Sequence, residues 1–338
     1  MAEDSVVLTL PEIEDIATKA LRHHGASKMA ASSLAGAIAD AEGEGIHSHG
    51  LRYLKTYCDH LDCGKVRADA VPSLRQASGA AIAIDAQNGF AHPAIDLGIG
   101  QIIPLAEKMG VAAFTVTRSY NCGVLGYHVK RIASQGLIGI GFTNAPASIA
   151  PPGGRRPVIG TNPIAMALPN GDGAIRFLID QSASVIAKSE VMLRAQKGEA
   201  VPEGWVLDSD GKSTTDPKAG LTGTMVPSGG YKGFGIGLIV EVFAAALSGS
   251  NLGIQASPFS GNTGGPPGTG QFFIALSTTA FSENSFGDRI EALCKAIEAE
   301  VGCRLPGSRR IANLARSKAE GVRLAAKLVA DMKALATS

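Results

Sequence analysis

The apolar run Leu137–Thr143 carries Gly139-Ile140-Gly141-Phe142-Thr143-Asn144, and the residues after it constrain the fold more than any others. Two glycines stand where a dinucleotide fingerprint places them, directly after a strand-like run. The third glycine position holds Asn144, and Pro146, Pro151 and Pro152 follow. A phosphate-binding turn of that kind must open straight into a helix. Proline removes a backbone donor and clashes inside a helix, so this segment cannot continue as one. A Rossmann site is excluded here. No G-x-x-x-x-G-K-[ST] loop occurs either, so any nucleotide must be held by other means.

Around that run, strand and helix patterns alternate. Thr9, Pro11 and Glu12 read as a capping box with proline in the first turn. Ile13, Ile16, Ala17, Ala20 and Leu21 then repeat at helical spacing up to Gly25. A second helix follows Ser27, with Ala30, Leu34, Ala37, Ile38 and Ala41 on one face, and a third covers Leu51–Leu61. Strands are expected at 80–86, 111–117, 137–143, 164–168, 175–180 and 271–276. Helices are expected at 93–109 (kinked near Pro104), 123–135, 184–197 and 233–249. The segment 233–249 is apolar enough to read as a buried helix. Helical spacing returns after Gly287, and 319–335 reads as a last amphipathic helix. This order predicts an α/β or α+β enzyme core bracketed by helical ends.

Composition narrows the function. The 338 residues are 45% hydrophobic and 18% charged with net charge +1. A core of ample size follows, and a nucleic-acid partner is not expected, because the basic footprint and a supply of stacking aromatics are absent. Cys58, Cys63, Cys122, Cys294 and Cys303 form no C-x-x-C pair. Neither a disulfide framework nor structural zinc is expected. The acidic start, Met1-Ala-Glu-Asp-Ser, lacks the basic region of a signal peptide, and no run is long enough for a secure membrane span. The expectation is a cytoplasmic protein.

Chemistry concentrates at His47-Ser48-His49-Gly50 with Arg52 close behind. Histidine exchanges protons near neutrality, serine can share one with it, and arginine can clamp a carboxylate. A helix end with surface histidines would look the same. Metal binding is not expected, because the two histidines are two residues apart with no supporting ligand spacing. Ser228-Gly229-Gly230-Tyr231-Lys232-Gly233 precedes a helix and offers N–H groups and an ammonium to a phosphate; a plain glycine turn reads alike. Asp180-Gln181-Ser182-Ala183-Ser184 ends a strand with polar groups, as a ligand-contacting turn or a cap would. Glu190 follows in the next helix, either to orient a histidine or as a solvated side chain.

Taken in order, His47-Ser48-His49-Gly50, Gly160-Thr161-Asn162-Pro163, Asp180-x-x-x-Ser184, Thr214-Thr215-Asp216-Pro217, Lys232-Gly233 and Glu241 resemble the malate/L-lactate dehydrogenase type 2 family. The resemblance runs from about residue 8 to about residue 315. It implies a non-Rossmann NAD(P)-binding domain on a mostly antiparallel sheet (116–284), flanked by a helical domain from both chain ends (1–115 with 285–338). It also implies a homodimer, NADPH as cofactor with NADH as the alternative, and reduction of 2-oxo acids or cyclic imino acids.

By the same resemblance, Ser48, His49 and Glu190 are the catalytic group, with His49 as proton donor. Arg52 and Thr161 hold the substrate carboxylate. Ser119, Tyr120, Asn121, Asp180, Gln181, Ser182, Lys232, Gly233 and Arg309 contact cofactor. Two positions depart from the family pattern. Asn121 replaces a histidine, which places acid catalysis on His49. The family's arginine comes four residues after the second histidine, where this chain has Tyr53; Arg52 is one residue early. The acid at Glu190 favours Δ1-pyrroline- or Δ1-piperideine-2-carboxylate as substrate. A dehydrogenase for lactate, malate or sulfolactate is the alternative, and an inactive nucleotide- or metabolite-binding sensor is an alternative of another class.

Overall fold

The computed structural model describes residues 4–337. In chain order it has β1 (Ser5–Leu8), α1 (Leu10–His23), α2 (Lys28–Gly43), α3 (Leu51–Asp62), β2 (Ser73–Ser78), β3 (Ala81–Asp85), α4 (Ala91–Met109), β4 (Val111–Ser119), α5 (Leu125–Ala133) and β5 (Leu137–Thr143). There follow β6 (Ile164–Pro169), β7 (Ile175–Gln181), α6 (Lys188–Lys197), β8 (Val206–Leu207), β9 (Ser213–Thr214), α7 (Pro217–Thr222), β10 (Thr224–Met225) and α8 (Tyr231–Val240). The end comprises a π-helical turn (Glu241–Ala246), β11 (Thr269–Ser277), α9 (Thr278–Ser282), α10 (Phe286–Glu298), α11 (Ser308–Glu320), β12 (Val322–Ala325) and α12 (Ala326–Ala334).

Seven strands form the central sheet in the order β2-β3-β4-β11-β5-β6-β7. Only β3 and β4, joined through α4, run parallel; the other neighbours are antiparallel. Side chains alternate across it, as the pleat requires. On β11, Phe273 and Ala275 join the core under α4 and α5, while Phe272 and Ile274 face the π-helical turn with Phe142 and Ala244. The glycines of the failed fingerprint have their reason here. A Cβ on Gly139 would lie 2.6 Å from the Val129 carbonyl oxygen, and one on Gly141 would lie 2.8 Å from the Phe273 ring. They let α5 and Phe273 close on β5.

The chain ends meet. β1 pairs antiparallel with β12, and Leu8, Val322, Leu324, Val329 and Met332 share one core with α1, α2 and α3. Helix α1 begins as its sequence requires: Thr9 and Glu12 form the capping box, and Pro11 sits in the first turn, a device worth about 1 kcal/mol. Ser27 caps α2 in the same way, and Asp216 caps α7.

Two expected elements come out differently. The helix expected at 319–335 starts late: α11 ends at Glu320 before Gly321 (φ 79°), β12 takes Val322–Ala325, and only α12 is helical beyond it. Strand pairing with β1 wins over the helical pattern. The helix expected to be buried at 233–249 is α8 and the π-helical turn, and one face lies open. Ile236 is 42% exposed, Val242 56% and Leu247 57%, with Leu238 and Ile239 also exposed. No helix among the described residues is long and apolar enough to cross a membrane.

Candidate active site

The turn between α2 and α3 carries His47, Ser48, His49 and Gly50. Ser48 Oγ lies 3.0 Å from His49 Nδ1. With Nδ1 carrying the hydrogen and donating to Ser48 Oγ, the neutral imidazole leaves its Nε2 lone pair free to take a proton. Burial pushes the His49 pKa below its ordinary value; the Asp180 carboxylate raises it and the Arg310 guanidinium lowers it. His49 is therefore neutral at pH 7. His47 points elsewhere, its Nδ1 donating to Glu42 Oε2 at 2.5 Å. That bond raises the His47 pKa, against burial and the nearby charge of Arg52.

Helix α3 puts Tyr53, not Arg52, beside His49. The two rings stack with centroids 6.3 Å apart. Tyr53 Oη accepts from Asn121 Nδ2 at 3.3 Å, so the two positions that depart from the family pattern touch each other. Arg52 is exposed and lines a separate surface cleft with His47, Arg323 and Lys327. The cause is local. His49 belongs to a turn, not to α3, so helical spacing does not carry from it to Arg52.

Behind His49 lies a charged network assembled from distant segments. Arg310 of α11 donates to Asp180 at 2.9 Å and to Glu44 at 2.7 Å. Lys130 of α5 pairs with Asp40 and Glu44. Gly126, in the first turn of α5, donates its N–H to Asp180 at 3.0 Å. A Cβ there would meet both Asp180 Oδ2 (2.7 Å) and Arg310 Nη2 (2.8 Å). Arg310 Nη2 is buried and ion-paired with Glu44 Oε2 at 2.7 Å. Arg309, the residue expected to contact cofactor, is exposed; its neighbour Arg310 turns inward.

The expected cofactor contacts divide in two. Gln181, Ser182, Lys232 and Gly233 line one cleft of about 550 Å³, with Ser184 and Ser228. Gly229 and Gly230, with φ of 68° and 64°, turn the chain into α8, whose N-terminal N–H groups favour an anion. By contrast, the side chains of Ser119 and Tyr120 are 1% and 0% exposed. Ser119 Oγ donates within the sheet to Thr269 O and Gln271 Oε1, and Tyr120 Oη bonds His60 Nδ1 at 2.5 Å. Neither side chain is presented to a ligand. Thr161 accepts the Ala183 N–H on its carbonyl at 2.7 Å, which ties its loop to the end of β7.

Glu190, on α6, takes the Arg194 guanidinium at 3.0 Å, and Arg194 lies over the Trp205 ring at 5.1 Å. Asn162 (φ 40°) and Glu241 are bonded to each other at 2.7 Å, and Glu241 also accepts from Gly253 N at 2.6 Å. These two motif residues brace the π-helical turn, a feature common at functional sites. No group of three or more His, Cys, Asp or Glu suited to a metal ion occurs among the described residues.

Sequence reasoning passed over Glu42 and Glu44. The signal for the acids was present: Glu42 follows Ile38 by four residues and Glu44 follows Ala37 by seven, so both continue the apolar face of α2.

The donors suit a dinucleotide: the α8 N-terminus and Lys232 face Gln181, Ser182 and Ser184 across one cleft. The comparisons agree. The family model for malate/L-lactate dehydrogenase matches residues 8–333. A (2R)-3-sulfolactate dehydrogenase (NADP(+)) of Chromohalobacter salexigens is 42% identical over 99% of both chains. A Δ1-pyrroline-2-carboxylate reductase of Burkholderia ambifaria is 37% identical over 94% of both. The crystal structure of a Δ1-piperideine-2-carboxylate reductase from Pseudomonas syringae superposes with a TM-score of 0.92 at 32% identity, covering 98% of this chain and 99% of that one. The chain belongs to the malate/L-lactate dehydrogenase family of NAD(P)-dependent oxidoreductases.

Proposed function

We propose that this enzyme interconverts a small 2-hydroxy acid and its 2-oxo acid with NADP(H), with sulfolactate and its close analogues as the first substrates to test. The observation that carries this reading is the pairing of Glu190 with Arg194. A cyclic imine becomes electrophilic when protonated, and a free carboxylate beside it would stabilise that cation. Here Glu190 is matched by a guanidinium, and Asp180 is matched by Arg310. A ketone asks less, only a proton for the developing alkoxide, which one histidine can give. The 42% identity to a sulfolactate dehydrogenase supports the same order. So the hydroxy acid moves ahead of the imine that Glu190 had favoured.

When bound, the nicotinamide supplies or accepts the hydride. The rest falls to the chain. His49, neutral at pH 7, takes the substrate hydroxyl proton in oxidation and returns it in reduction. Ser48 holds the ring's tautomer, and Tyr53 packs flat against it. Thr161 would hold the carboxylate, and Gln181, Ser182, Lys232 and Gly233 would hold the cofactor. Lys232 and the NADP(+) of the sulfolactate relative favour the phosphorylated cofactor. The open apolar face of α8, beside this cleft through Ile236, suits a second copy of the chain. A homodimer is the proposed assembly.

The imine reading keeps one specific support, the reductase relatives in sequence and structure. NADPH oxidation with 3-sulfopyruvate, oxaloacetate, pyruvate and the two cyclic imines decides between them. The expected result is kcat/KM at least about tenfold higher for an oxo acid, a 1.4 kcal/mol preference. Turnover of imines alone would overturn it, and tight NADPH binding without any turnover would point to a sensor.

A further inference from the structure

Glu42 lies in the last turn of α2 and is 1% exposed. A buried carboxylate is costly unless its charge is answered, and this one is answered twice. Oε1 accepts the Leu51 N–H at 2.7 Å, and Oε2 accepts from His47 Nδ1. Leu51 is the first residue of α3, so the charge also sits where a helix N-terminus favours it. Its seat exists because residue 50 is glycine: a Cβ there would stand 2.2 Å from Oε1. His47 and Leu51 flank Ser48 and His49, so one carboxylate ties both ends of the turn.

We propose that Glu42 is the positioning residue of this site, its buried carboxylate closing the turn at His47 and Leu51 and so fixing where Ser48 and His49 point. It touches neither substrate nor cofactor. The proposal rests on the reading of His49 as the proton-transferring group. His47 is the visible end of the clamp, half-exposed between two surface clefts. Arg52 of α3 faces it in one, with Arg323 and Lys327; Arg316 and Glu320 of α11 line the other.

Glu42→Gln keeps the shape and an acceptor for Leu51 N–H but loses the charge. Glu42→Ala loses both. With the full-length protein, kcat is expected to fall about tenfold in E42Q and about 100-fold in E42A, the scale of a roughly 1 Å misplacement. The KM for NADPH is expected to stay within about twofold, since no cofactor-cleft residue contacts Glu42. NMR of the histidine ring protons gives a second readout. His47 should titrate lower in E42Q, and the His49 resonances should shift in E42A. Folded E42A with unchanged kcat and unchanged His49 resonances would overturn the proposal, even if its melting temperature fell. His49→Gln is the separate control. If it keeps full turnover, the proton-transfer reading falls, and the His49 resonances in E42A still decide the clamp.

Discussion

The turn at 47–50 and the helix at 188–197 each bear a residue expected to do chemistry, and they are held in opposite ways. The turn is over-determined. Glu42 bonds it at two points, Gly50 admits that carboxylate, Tyr53 stacks on His49, and Asp180 and Arg310 bias its charge from behind. Helix α6 has one buried residue, Val191, no side-chain N-cap, and an acid whose partner lies on its own next turn. Pre-organised geometry is what catalysis rewards. The difference supports the proposal that the turn, and not α6, carries the proton transfer.

The sharpest way to break that contrast is at His49. His49→Gln keeps bulk and some hydrogen bonding but cannot exchange a proton. Steady-state rates should fall about 10²–10⁴-fold, with NADPH affinity by fluorescence titration little changed. Next in size is the network behind it. Arg310→Met would leave Asp180 without its cation and the fully buried Glu44 with Lys130 alone. Breaking a buried pair from one side costs about 3–5 kcal/mol, read as a large drop in denaturation midpoint. A smaller effect is expected at Gly50→Ala, whose added Cβ must displace the Glu42 carboxylate. The cost should be about 1–3 kcal/mol, with kcat reduced at temperatures where the protein remains folded.

The two histidines of the turn give opposite pH signatures. The His47 pKa is raised by Glu42. Its pairing therefore stabilises the fold fully below the unfolded value near 6.5, and that contribution is lost as pH rises through the higher folded value. His49 is lowered by burial, so it opposes folding as pH falls below its unfolded value. In kinetics, reduction needs the protonated ring. Its kcat/KM should decline above a pKa lower than 6.5, and oxidation should rise over the same interval. A profile for reduction that stays flat through that interval would remove His49 as the titrating group.

Local signals in the sequence were read well where local physics decides the outcome. Thr9 and Glu12 cap α1, Ser27 caps α2, and the strand patterns of β3 to β7 recur in the sheet. The failed G-x-G leads into a loop and not a helix, as its prolines require, though the packing reason for its glycines needed Val129 and Phe273 in space. What stayed hidden was non-local. The partners Glu44 and Arg310 are 266 residues apart, β12 exists only because β1 is beside it, and the open side of α8 runs against its uniformly apolar sequence. Arg52 misses His49 for a simpler reason: His49 lies in the turn before α3, so helical spacing does not carry from it to Arg52.

Glu190 provides the finest test of the comparison, because a near-null result is expected. Its carboxylate is about as exposed as that of an ordinary helix residue, at 36%, and its Arg194 partner sits at i,i+4. Such pairs contribute about 0.3–0.5 kcal/mol. If the turn alone carries the proton, Glu190→Gln should change kcat for an oxo acid by less than about threefold and leave the pH profile in place. The same substitution should fall harder on a cyclic imine, which would draw on any carboxylate that swings free of Arg194. Parallel measurement on both substrates therefore separates two ideas with one variant. Equal, large losses on both would make α6 part of the catalytic machinery and erase the contrast with the turn. A loss confined to the imine would keep the contrast and show that α6 sets substrate class, not rate.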